Sequence, residues 1–396
     1  MRQRNAAIRA RVADGDEDSI VHLLLFGTAF TAAPRASERD LAAFVSQPQE
    51  AIRVLRRRID DFAAAVAAPS QNERIRFARA IVERQGIEPG SAAGRRRLVE
   101  YLEERTRVVG GSIQSSRLLD PAAELADKLS LFRDRGLSTD TSIFIDFGIE
   151  QALDAMTAAG AIRRQSVRRA AIVGPGLDFT DKFEGYDFYP EQTIQPFALI
   201  DSLQRLELAG EGLEVTAFDL SPRVLAHLEH ARAQARAGAP YSLVLPRNAD
   251  RPWSGELVEY WRRLGSWIGD SAAKAPAAPA NAGRVETRAI AVRPPVVLSV
   301  VPLDLNVVTE QLASADGSFD LVIATNILLY YDVFEQSLAA ANIARLLRPG
   351  GYLLTNNRIF ELPSIPLAGT GYTDVVYLAL PGAGDAGDRL IWFQKH

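Results

Sequence analysis

Three groups of residues have the types and spacing to do chemistry. The first is Gly174-Pro175-Gly176, directly after the apolar run Ala170–Val173. Glycines closing a short apolar run read as a tight turn at the carboxyl end of a buried strand. Backbone N–H groups point outward there, and a ligand can come close because glycine has no Cβ. An ordinary strand-to-loop turn reads the same way. The second group is a pair of aspartates, Asp219 closing Leu213–Asp219 and Asp304 after Val296–Val301. An acid ending a second parallel strand can accept both hydroxyls of a ribose, and an acid further along can accept the exocyclic amine of an adenine. Each alone is also an ordinary turn or cap residue. The third group is Asn326, Tyr330, Tyr331 and Asp332, after the run Phe319–Thr325. Asn and Tyr there could position an acceptor atom, or the tyrosines could simply pack the next helix.

Other chemistries find little support. The chain has no cysteine, which excludes disulfides, thiolate catalysis and Cys-ligated metals. Of the histidines at 22, 227, 230 and 396, only His227 and His230 share a helical spacing, and two ligands do not make a metal site. The net charge of −4 argues against a dominant nucleic-acid surface. The basic run Arg53, Arg56–Arg58 leads straight into Asp60 and Asp61, as on a solvated helix face. Ile20–Phe30, the most apolar N-terminal stretch, is too short to span a bilayer. A cytoplasmic protein that binds neither membrane nor nucleic acid is expected.

The elements that must hold these residues divide the 396-residue chain in two. Residues 1–165 read as an all-α domain. Helices are expected near 17–30, 38–46, 48–67, 71–85, 92–108, 121–135 and 147–159, with capping boxes at Ser37 to Asp40 and Ser70 to Glu73 and stops at Gly86, Gly110 and Gly136. Residues 166–396 alternate apolar runs with helices, the pattern of a parallel sheet with crossover helices. Strands are expected at 169–173, 213–219, 296–301, 319–325 and 352–356. The runs 374–380 and 389–394 form a closing antiparallel hairpin. Residues 238–290 interrupt the scheme as an insertion, and Ser271–Gly283 within it is Ala/Pro-rich with little to bury.

Phe319-Asp320-Leu321-Val322, then Asn326-Ile327-Leu328, then Leu346-Leu347-Arg348-Pro349-Gly350-Gly351-Tyr352-Leu353 complete a more specific pattern. In these residues the chain resembles the class I S-adenosylmethionine-dependent methyltransferases, over about 168–396. The resemblance implies a Rossmann-like seven-stranded methyltransferase sheet with a reversed last strand. It implies S-adenosylmethionine as cofactor. Gly174, Pro175, Gly176 and Asp178 would face its methionine part, Asp219 and Leu220 its ribose, and Asp304 and Leu305 its adenine. Asn326, Tyr330 and Tyr331 would lie at the edge facing the methyl group and the acceptor, Asn326 touching the cofactor too. Two positions depart from the family pattern: Ile172 stands where an acid is frequent, and Asp178 where a third glycine is usual.

Methyl transfer to a small-molecule acceptor is the resulting expectation, with a catalytically silent binding or scaffold protein as the alternative. A nicotinamide oxidoreductase fits less well, because the G-x-G-x-x-G pattern fails at Phe179. The acceptor pocket is expected between the Asn326–Asp332 edge, the aromatic loop 179–189 with Phe183, Tyr186, Phe188 and Tyr189, and the segment 139–160. Its rings could face the sulfonium or only join the helical region to the sheet.

Overall fold

The computed structural model describes residues 1–118, 136–138, 140–179, 184–272, 275–359, 361–379 and 385–396. The helix expected at 121–135 and the residue Phe183 lie outside them.

The N-terminal region holds α1 (Arg2–Phe26), α2 (Glu38–Ser46), α3 (Pro48–Ala67), α4 (Glu73–Arg84) and α5 (Ala92–Leu118). Ser37 caps α2 in the expected box with Asp40. Asn72, not Ser70, caps α4, its side chain accepting from the N–H groups of Arg74 and Ile75. Two expected boundaries are corrected. Gly110 does not end α5, and Phe44 packs directly against it. The first helix begins at Arg2 rather than near 17 and runs through Gly15. Glycine inside a helix costs about 1 kcal/mol relative to alanine. Here tertiary contacts on both halves of α1 override that local preference. Its second half joins α3, α4 and α5 in one core around Leu24, Ile59, Phe62 and Val82. Its first half sends Ile8 and Val12 into a different core, beneath the main sheet.

The rest of the chain runs α6 (Ile143–Ala158), β1 (Val167–Val173), α7 (Gln195–Arg205), β2 (Ala209–Asp219), α8 (Pro222–Arg236), β3 (Tyr241–Asn248), α9 (Gly255–Arg263), β4 (Gly269–Ser271), β5 (Val285–Val292), α10 (Pro294–Leu298), β6 (Val300–Asp304), β7 (Phe319–Ile323), α11 (Val333–Leu346), β8 (Leu347–Thr355), β9 (Leu367–Leu378) and β10 (Ala386–Lys395). Seven strands form one sheet in the order β6-β2-β1-β7-β8-β10-β9. The first five are parallel, and β10 runs antiparallel to both of its neighbours, as the reversed last strand requires. The order changes direction at β1, the place where open α/β sheets bind ligands.

The apolar run 296–301 is split, with Pro294 and Pro295 opening the short α10 and β6 starting only at Val300. Proline at a first helical position has no N–H to lose, so the pair favours a helical turn over a strand. The insertion is a folded unit, with β3, β5 and β4 in an antiparallel sheet. Its alanine-rich stretch buries Ala282 and rests Ala275 and Ala278 on a cluster with Tyr186 and Tyr189, so it has more to bury than its composition suggests. α6, assigned by sequence to the helical domain, places Phe144, Phe147 and Leu153 in the sheet's core.

Candidate functional site

β1 delivers the chain to Gly174 and Gly176, whose φ values are 70° and 65°. L-residues avoid that region, so the turn needs glycine at both places. A Cβ on Gly174 would also stand 3.0 Å from Ile327 Cδ1. The turn borders a narrow cleft with a free interior volume of about 40 Å³. Gly174, Gly176, Asp219, Leu305, Ile327 and Tyr331 line it, together with Leu220 and Val307. Two further walls come from the N-terminal region: Val12 of α1 and the segment Leu137–Ser138. No sequence motif marks these; the only available signal is the four-residue spacing of Ile8 and Val12, which puts them on one helix face.

Asp219 ends β2 inside this cleft, 7% exposed. Its Oδ1 accepts from the Ser221 N–H at 2.8 Å. The N–H groups of Gly176 and Leu220 also point at its carboxylate. Burial outweighs these donors and pushes its pKa up to about 6. Asp304 is the register partner of Asp219 on β6 and lies differently. Its side chain is 54% exposed and takes Arg9 Nη1 from α1 at 2.8 Å. Leu305, the next residue, is the one that lines the cleft.

Past the end of β7, Tyr330 and Tyr331 are both buried in the core beneath the sheet, and Tyr331 also lines the cleft. Arg11 of α1 bonds the Tyr330 carbonyl. Asn326 adopts φ 56°, a left-handed conformation that asparagine tolerates. Its N–H donates to Asn356 Oδ1 at 2.9 Å, and its Oδ1 accepts from Asn356 Nδ2 at 2.7 Å. From there Asn356 reaches Asp388 Oδ2 at 3.4 Å, which also accepts from Tyr377 OH at 3.2 Å. A polar chain therefore runs along the carboxyl edge from β7 to β9.

Asp178 turns away from the cleft. Its Oδ2 accepts from Tyr189 OH at 2.9 Å and Gln192 Nε2 at 2.8 Å. Burial raises its pKa to about 6 against these donors and Arg74. Asp146, in the first turn of α6, is 2% exposed, and among the described residues neither of its carboxylate oxygens has a hydrogen-bond partner. Burial, with the charge of Asp178 added, raises it well above an ordinary aspartate. The aromatic loop is pinned from the other side. Arg74 of α4, 2% exposed, donates to the carbonyls of Asp178, Phe179 and Tyr189. Phe179 stacks edge-on against Phe77 in the helical core, with centroids 5.0 Å apart. Tyr186 carries Arg35 on its ring at 4.9 Å. Neither Arg74 nor Asp146 belongs to a motif, and sequence reading passes over both.

Residues 287–355 match a family model described as a methyltransferase domain. That segment supplies β6, β7, α11 and β8 to the seven-stranded sheet with its single reversed strand. The seven-stranded sheet is similar to that of class I methyltransferases, and the matched segment lies within it. Solved methyltransferases match the chain at low similarity. A TehB-like S-adenosylmethionine-dependent methyltransferase from Corynebacterium glutamicum is 11% identical, with 61% of this chain and 87% of that one covered at a TM-score of 0.28. An S-adenosylmethionine-dependent methyltransferase from Methanosarcina mazei is 13% identical, with 60% and 96% covered at 0.27. The glycopeptide N-methyltransferase MtfA, solved with S-adenosylmethionine, is 13% identical, with 63% and 66% covered at 0.24. No curated protein matches the sequence. Among the described residues no group of acids and histidines could hold a metal ion, and no helix is long and apolar enough to cross a membrane.

Proposed function

We propose that this chain transfers a methyl group from S-adenosylmethionine to a small-molecule acceptor. The observation that carries the proposal is the meeting of Gly176, Asp219, Leu305 and Tyr331 in one cleft at the carboxyl ends of β1, β2, β6 and β7. These residues fit the cofactor. The glycine turn keeps Cβ atoms out of the way, and the Asp219 carboxylate would accept from ribose hydroxyls beside its backbone donors. Leu305 and Val307 offer apolar walls to an adenine. When bound, S-adenosylmethionine supplies an electrophilic methyl on a sulfonium. The Tyr331 ring suits a cation beside it. Val12, Leu137 and Ile327 keep water from the reacting centre, and the Asn326 edge orients the acceptor nucleophile. No proton-relay triad is needed for such a step.

The reading is tested with methyl-labelled S-adenosylmethionine in a cell extract. Label should enter the low-mass fraction, and Asp219→Ala should abolish that. Label entering protein or nucleic acid would overturn the small-molecule acceptor. Cofactor binding without any labelled product would favour the silent binding protein, which the replacement of the usual glycine by Asp178 already suggests.

A further inference from the structure

α1 borders the cleft through Val12 and is tied to the rest of the chain by polar contacts over its first three turns. Arg4 reaches Glu335 at 3.1 Å and Asp332 at 3.4 Å, both at the start of α11. Asn5 donates to Glu310 at 2.7 Å and accepts from Asn306 at 2.8 Å. Arg9 bridges Asp304 at 2.8 Å and Glu310 at 3.1 Å. Arg11 reaches Glu335 at 3.6 Å. Between these ties Ile8 and Val12 point inward, Ile8 only 1% exposed and Val12 forming a wall of the cleft. The second wall is fixed to the first. Leu137 N–H donates to the Arg11 carbonyl at 2.9 Å. A Cβ on Gly15 would fall 1.9 Å from the Leu137 carbonyl oxygen, so α1 and this segment touch backbone to backbone.

We propose that α1 is the gate of the cofactor cleft, and that Arg9 is a positioning residue that holds Asp304 while the gate is shut. The proposal rests on the cleft being the S-adenosylmethionine site. A ligand filling the space beside Val12 and Leu137 lies against α1, whose polar ties through Arg4 and Arg9 are partly exposed ion pairs, while Ile8, Val12 and the Arg11 bond to the Tyr330 carbonyl are the buried contacts that opening has to break. Such ion pairs contribute little each and are screened by salt, so a helix held partly by them can detach while the sheet stays folded. The helical region then acts on the cofactor directly, through its first helix, and not only as a neighbouring domain.

The absence of native cysteine allows a direct test. The double variant Asn5→Cys with Glu310→Cys is joined by a short bis-maleimide, and exchange of radiolabelled S-adenosylmethionine against unlabelled cofactor is followed. Joined before cofactor is added, the protein should fail to bind it. Joined afterwards, it should fail to release it. The unjoined variant should exchange at least as fast as the parent, and faster in higher salt, as should Arg9→Ala. Equal exchange by joined and unjoined protein, with an unchanged melting curve, would overturn the gate while leaving the cofactor site intact. A parent chain that binds no S-adenosylmethionine would overturn the cofactor reading and the gate with it.

Discussion

Asp219 and Asp304 stand in register at the ends of neighbouring parallel strands, yet they serve different partners. Asp219 is buried among backbone N–H groups of the glycine turn and its own loop, whereas Asp304 holds Arg9 of α1 at 2.8 Å. The two should therefore differ in their effect on cofactor affinity. On the proposed reading Asp219→Ala removes a carboxylate that would bond ribose hydroxyls, and hydrogen bonds to a charged group contribute about 1.5–3 kcal/mol. Asp304→Ala removes an exposed pair of about 0.2–1 kcal/mol. Calorimetric titration of both variants with S-adenosylmethionine measures this, and an equal loss in the two would deny Asp219 its special place.

Cofactor affinity should also depend on pH through Asp219. Burial pushes its pKa up to about 6, and ribose hydroxyls bound there as proposed would donate to the ionised form. Binding therefore has to expel a proton below that value. The dissociation constant should rise about tenfold per unit as pH falls below 6 and stay level above it. Asp219→Asn should bind weakly with a flat profile between pH 5 and 8, which separates Asp219 from Asp178, whose carboxyl titrates in the same range.

Asp146 should cost stability at neutral pH. Its folded pKa lies well above the unfolded value of 3.8, so the folded state keeps a proton that the unfolded chain releases. Stability from this group is full below 3.8 and declines as pH rises toward the folded pKa. Asp146→Asn should raise the melting temperature at pH 8 and lose that gain near pH 4. Melting curves at both values decide it, and a variant that melts lower at pH 8 would mean that the carboxylate has a partner in solution.

The aromatic loop should behave as a joint between regions. Tyr186 and Tyr189 pack with the insertion, and Arg74 ties the loop backbone to α4. Tyr186→Ala with Tyr189→Ala should lower the melting temperature strongly, each truncation costing about 3–5 kcal/mol as for buried aromatics. Affinity for S-adenosylmethionine should change little at temperatures where the variant is folded. Normal melting with lost affinity would return the loop to the ligand pocket.

Local chemistry makes part of this molecule legible in its sequence. The glycine turn and Asp219 can be read because each is local: an apolar run, then residues whose backbone freedom or charge has a use at a strand end. The reversed strand is legible from the hairpin after the Arg348–Gly351 turn. The start of α1 is not, because Asp14, Gly15 and Asp16 argue against a helix, and only the contact of Gly15 with Leu137 and the burial of Ile8 outweigh them. Arg74 and Asp146 give no signal, since an arginine serving three carbonyls and an aspartate without a partner look in sequence like any surface charge. The split of 296–301 turns on Pro294 and Pro295, which suit a strand end and a helix start equally well until the packing of Val296 and Val297 selects the helix.

Titration of the purified full chain with S-adenosylmethionine, and separately with NAD, by isothermal calorimetry tests the cofactor assignment most directly. The expected result is one saturable site for S-adenosylmethionine, weakened in folded Asp219→Ala, and no heat from NAD. A folded parent chain that gives no heat with S-adenosylmethionine near pH 7.5, or that binds NAD instead, would contradict it.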